Sequence, residues 1–122
     1  MAYGSVLTDI VQSSTAGTPP QFNDGNGTQT GTLCRAWLTY NGSSPGAIRA
    51  SFNISSVTYN SAGTFTVNFT NAMPDTNYAI ADATGQRFIQ SEVNTTSSTL
   101  IVTRDNTGTL VDTANIYQAI FR

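Results

Sequence analysis

The chain has 122 residues, enough for one domain with a modest core, and 10% of them are charged against about 25% in an ordinary soluble domain. All five cations are Arg, Lys and His are absent, and the formal net charge is -2. This balance excludes the clustered basic footprint of a nucleic-acid surface. The missing His and Lys exclude Ser-His and Cys-His nucleophilic machinery, Schiff-base chemistry and the usual zinc site.

Thr, Ser, Asn and Gly together supply well over a third of the chain and take over the work of keeping it in water. A face of hydroxyls and amides sheds water at lower cost than a charged one, and so small a charge favours association. No run approaches the ~20 apolar residues of a membrane span, and the start of the chain lacks a basic leader. Neither membrane insertion nor export is expected. The single cysteine, Cys34, has no internal disulfide partner and lies in an apolar run, where a buried strand thiol is expected. Five Asn-x-Ser/Thr triplets, at Asn26, Asn41, Asn53, Asn68 and Asn94, are what chance produces in so Asn- and Thr-rich a chain.

In chain order, a β-prone piece at 6–11 precedes a Gly, Thr, Ser, Asn and Pro stretch at 13–32 that cannot form a core. Pro19-Pro20 sets an extended step there. Residues 1–32 are read as an extended attachment arm, and residues 33–122 as the binding and assembly domain. In 33–40, Cys34, Ala36, Leu38 and Tyr40 share one face while Arg35, Trp37 and Thr39 share the other. A strand with bulk on both sides is covered twice or sits at an interface. After a loop at 41–46, Ile48, Ala50, Phe52 and Ile54 alternate with polar residues as in a half-buried strand, and the phase then moves to Val57 and Tyr59 across Ser55-Ser56, predicting a bulge or a bend into a neighbouring strand. Residues 60–63 close a hairpin onto 64–70, where Phe65, Val67 and Phe69 point inward. Further strands are expected at 78–83, 88–93, 99–104 and 115–121, with turns at 73–75 and 105–108. About seven short strands and no helical periodicity predict an all-β antiparallel sandwich or a barrel-like variant.

Chemistry-bearing residues are few. Asp75, Asp82, Glu92, Asp105 and Asp112 formally allow a two-carboxylate glycosidase, but Asp24, Asp75 and Asp105 stand in turn contexts where their side chains bond nearby backbone. Asp24-Gly25-Asn26-Gly27-Thr28 opens like a calcium loop, yet its twelfth position is Arg35, not Glu. No metal, cofactor or catalytic residue is assigned, and the chain is read as a non-enzyme. Phe52, Phe65, Phe69, Phe88 and Phe121 are expected in the core. Trp37, Tyr40, Tyr59, Tyr78 and Tyr117 join an apolar body to a polar tip and suit the core edge, sugar stacking or subunit contacts. The ligand-contact candidates are Tyr59, Asn60 and Ser61 at the hairpin and Asn41 in the preceding loop.

The runs RAWLTYNG (35–42) and AIRASFNISSVTYNSAGTFTVNFTNAMPDTNYAI (47–80) closely resemble a module of tail-fibre and related virion proteins of tailed bacteriophages, especially marine and cyanobacterial ones. The opening MAYGSVLTDIVQSSTAGTPPQF and the closing AIFR are also similar to parts of such proteins. The resemblance implies a β-rich domain that forms a homotrimer on a fibre or spike and either recognises the host surface or decorates the particle, with no catalytic motif; as a recognition module it is expected to bind host-surface glycan through loops such as 41–46 and 60–63. The alternative is a structural or decoration protein of tail or head with no receptor role. With no shaft before the module, the chain is expected to be a whole small fibre, a tail plug or a head-decoration protein, held to other virion proteins through its N-terminal arm.

Overall fold

A computed structural model describes residues 14–15, 21–23, 28–30, 34–43, 46–85 and 87–122. The chain divides into two compact units, Met1–Thr32 and Leu33–Arg122. In the first, β1 (Gln21–Asn23) pairs antiparallel with β2 (Thr28–Thr30). Most of the segment read as an arm lies outside the described residues, including the β-prone 6–11, the Pro19-Pro20 step, and Asp24 with the rest of 24–27 in the calcium-loop-like run.

The second unit is an all-β sandwich of eight strands. They are β3 (Cys34–Asn41), β4 (Ala47–Phe52), β5 (Ile54–Ser61), β6 (Thr64–Phe69), β7 (Ala79–Thr84), β8 (Phe88–Asn94), β9 (Ser98–Arg104) and β10 (Ile116–Phe121). Sheet I runs β4-β3-β10-β7 and sheet II runs β5-β6-β9-β8, all pairs antiparallel. The described strands of one sheet do not pair with those of the other, so the sandwich is not closed into a barrel. Alternation explains the layering. Ala36, Leu38 and Tyr40 of β3 and Ile116 and Ile120 of β10 meet Phe65, Val67 and Phe69 of β6 and Ile101 of β9 in one core, closed by Met73 and Tyr78. Fully burying side chains of this size stabilises by about 1.5–3 kcal/mol each. Phe65 packs edge-on against both Tyr40 and Tyr59, each at a centroid distance of 5.7 Å.

The run 47–61, read from its pattern as a strand that bulges or bends into a neighbouring strand across Ser55-Ser56, is two strands in different sheets, with the bend two residues earlier. Asn53 forms the corner at φ 57°, a left-handed conformation that Asn tolerates better than most residues. Its side chain then fills the bend. Nδ2 donates to the carbonyls of Arg35 (3.0 Å) and Asn71 (3.1 Å), while Oδ1 accepts from the Asn71 amide (2.7 Å). A register shift follows between Ile54 and Ser56. This corner is why eight strands are found where about seven were expected.

The hairpin from β5 to β6 turns on Ala62 and Gly63, the latter at φ 65°, where a Cβ would lie 2.5 Å from the Thr103 carbonyl and the Val111 nitrogen. Asp75 and Asp105 are turn residues as read, accepting from the amides of Asn77 (2.8 Å) and of Thr107 and Thr109 (2.8 and 3.0 Å). Tyr78 is buried, and its hydroxyl donates towards the Thr95 and Ser98 carbonyls, 3.0 Å from each, pinning the turn between β8 and β9.

Four burial expectations need correction, the first being Phe121, which is half-buried opposite Ala79 on the outer side of β10 and not in the core. Phe52 and Phe88 are not core residues but are 54% and 67% exposed, because each lies on an edge strand, Phe52 on the outer face of sheet I and Phe88 on that of sheet II. The apolar row of β4 is likewise exposed, since a register shift opposite Thr39 and Tyr40 turns Ala50 and Phe52 outward. Cys34 is half-buried, with its thiol 3.1 Å from the Ala36 carbonyl.

Candidate binding faces

The four candidate contact residues sit at one end of the sandwich. Phe65 touches both Tyr40, next to Asn41, and Tyr59, next to Asn60, so the ends of β3 and β5 lie side by side. Tyr59 is 47% exposed. Its hydroxyl is 3.4 Å from Asp112, whose other oxygen accepts the Gly63 amide at 2.7 Å. Partial desolvation, then the Asp112 charge and hydrogen bond, raise the Tyr59 hydroxyl above the usual tyrosine range, so it stays a neutral donor near neutral pH. Asn60 donates to Thr66 Oγ1 (2.8 Å), Ser61 is exposed, and half-buried Asn41 accepts from the Ser43 amide (3.1 Å). Their side chains thus serve the local fold as well as facing solvent. At the same end, hollows of about 470 and 340 Å³ are lined by Arg87, one with Phe88 and Asn106 and the other with Asp112 and Asn115. Residues around Arg87 carried no motif in the sequence.

A second surface is the outer face of sheet I. Register sets Phe52, Trp37, Ala119 and Ala81 in one row across β4-β3-β10-β7, and Ala50, Thr39, Tyr117 and Ala83 in the next. Trp37 and Tyr117 are 39% and 43% exposed. Between them lies a shallow depression of about 260 Å³ whose lining includes Thr39, Ala81, Ala83 and Ala119. The sequence flagged Trp37 through the two-sided bulk of its strand. It missed the face as a whole, because the alanines that floor it come from β7 and β10, far away in the chain. The alternation of Ala79, Ala81 and Ala83 with Ile80 and Asp82 was the available signal.

Each carboxylate of the sandwich has its own partner. Asp75 makes a two-pronged pair with Arg122 (2.9 and 2.6 Å), and Glu92 meets Arg104 at 3.3 Å. Asp82 lies between the sheets, accepting from Ser91 (2.7 Å) and from the buried Gln118 amide (3.0 Å). Gln118 Oε1 finds no donor among the described residues. The described residues contain no group of three or more His, Cys, Asp or Glu side chains placed to hold a metal. Comparison with protein-family models, with curated proteins and with solved structures gave no match to this chain.

Proposed function

We propose that this chain is a non-catalytic component of a phage particle, a tail-fibre-like homotrimeric module for host-surface recognition on the virion surface. The observation that carries the assembly part of this reading is the outer face of sheet I, where Trp37, Phe52 and Tyr117 stand exposed among alanines. Large aromatic side chains fixed on a scaffold suit recognition, since little conformational freedom is lost when they are covered. The likeness of residues 35–42 and 47–80 to phage fibre modules supplies the setting. Residues 1–32 act as the attachment arm in this reading, and the end bearing Asn41, Tyr59, Asn60 and Ser61 faces host glycan.

The purified chain should adhere to host cells and compete with infection. Adhesion unchanged by Tyr59→Ala, with the fold intact, would remove the glycan role of that end. Deletion of residues 1–22 should abolish incorporation into particles while leaving the sandwich folded. A second reading, a structural or decoration protein, draws on the apolar lining beside Trp37, which suits protein better than sugar. A chain that binds particles but not cells would establish it.

A further inference from the structure

We infer that the outer face of sheet I is where copies of this chain meet, Phe52 and Trp37 of one copy lying over Ala81, Ala83 and Ala119 of another. The inference deepens the assembly part of the proposed function and does not depend on host recognition.

Size is the first argument. Four strands about 4.8 Å apart, carrying two complete side-chain rows and half of a third about 6.8 Å apart, give a plan area of about 330 Å². The third row is Phe121 and Ala79. The largest apolar patch of a soluble monomer is about 300–600 Å² and often functional, while a standard interface buries about 800 Å² per partner. The face therefore matches the apolar centre of an interface, with polar neighbours left to form its rim.

Chemistry narrows the occupant. The two complete rows carry no charge, and Thr39 is the one aliphatic hydroxyl among their eight residues. A sugar would bring many hydroxyls and find few partners for them. A protein face of similar make-up would not.

Relief then selects a second copy. The bulk lies on β3 and β4, as Trp37 and Phe52, whereas β10 and β7 present Ala119, Ala81 and Ala83 beyond Tyr117. Alanine is a poor strand former on an exposed face, but it leaves room for a ring. Setting the ridge of one copy on the floor of another fills both, and the contact closes as a two-fold pair or as a ring of three.

The test is the native mass of the full chain by light scattering at its highest soluble concentration. Wild type should weigh two or three chains. Ala81→Arg, on the floor, and Phe52→Ser, on the ridge, should each give monomers with unchanged circular dichroism, while Thr66→Arg on sheet II should leave the mass alone. A monomeric wild type overturns the inference, as does a multimer that survives both face substitutions; if Ala81→Arg fails to fold, Phe52→Ser decides. Host-cell adhesion is measured in parallel. A multimer dissolved by these substitutions that never adhered to cells upholds this contact and refutes only the recognition reading.

Discussion

The outer face of sheet I and the β5-β6 half of sheet II solve opposite problems. On the β5-β6 half of sheet II, Asn60 bonds Thr66 (2.8 Å) and Asn68 bonds Ser56 and Thr58 (3.0 and 3.2 Å), so the polar side chains satisfy one another across the strands. Such a face is complete in water. The face of sheet I instead shows Trp37, Phe52 and Tyr117 to solvent with alanines between them. The β5-β6 half of sheet II is thus completed by its own polar side chains, whereas the face of sheet I keeps large aromatic rings in solvent. Low net charge alone does not make a surface adhesive; the arrangement of uncharged groups decides.

The sharpest way to break this comparison is to truncate one phenylalanine from each setting. Phe65→Ala should cost about 3–5 kcal/mol in urea unfolding, since Phe65 is fully buried between two tyrosine rings. Phe52→Ala, measured where the chain is monomeric, should cost about 1 kcal/mol or less. Equal losses would mean that the sheet I face is part of the folding core. Next in size is the corner that feeds both faces. Asn53→Ala should lose about 2–3 kcal/mol through strain at positive φ and unpaired carbonyls, with Asn53→Gly recovering the strain but not the hydrogen bonds.

Acid should act on the ends of the sandwich before its faces. The Arg122 hydrogen bond, followed by that from the Asn77 amide, holds the Asp75 carboxyl below its ordinary range, and the Thr107 hydroxyl does the same for Asp105. Folded-state pKa values below the unfolded ones add stability above the unfolded pKa, and it is lost as pH falls through the folded values. The melting temperature should therefore drop between about pH 5 and pH 2, and Asp75→Asn should flatten part of that drop. The smallest effect belongs to the water-built face. Asn68→Ala should cost about 0.5 kcal/mol and leave the native mass unchanged.

Much of the fold was legible because β-strands repeat every two residues. The pattern of 64–70 placed Phe65, Val67 and Phe69 inward, and all three are core. The same rule failed for Phe52, since alternation reports which residues share a face but not which face meets the other sheet. The phase shift at Ser55-Ser56 signalled a bend into a neighbouring strand, but not that the bend sits at Asn53 or that it changes sheet. The Trp37 side of β3 was legible as unusual, yet its neighbours were not, because pairing of β3 with β10 and of β10 with β7 is long-range register. Tyr40 and Tyr78 looked like Tyr59 and Tyr117 in sequence. Burial separates them, the first two closing the core and the others facing outward.

The corner at Asn53 also has a mechanical meaning. At one lateral side of the sandwich, β4 passes into β5 through this single residue, and at the other, β7 passes into β8 through 85–87. The two layers are thus stitched by backbone along both flanks. A load applied to the Trp37 face would reach sheet II as tension along covalent bonds and not only as shear across the apolar seam, so a tug on that face would strain the fold as one body before the layers could slide apart.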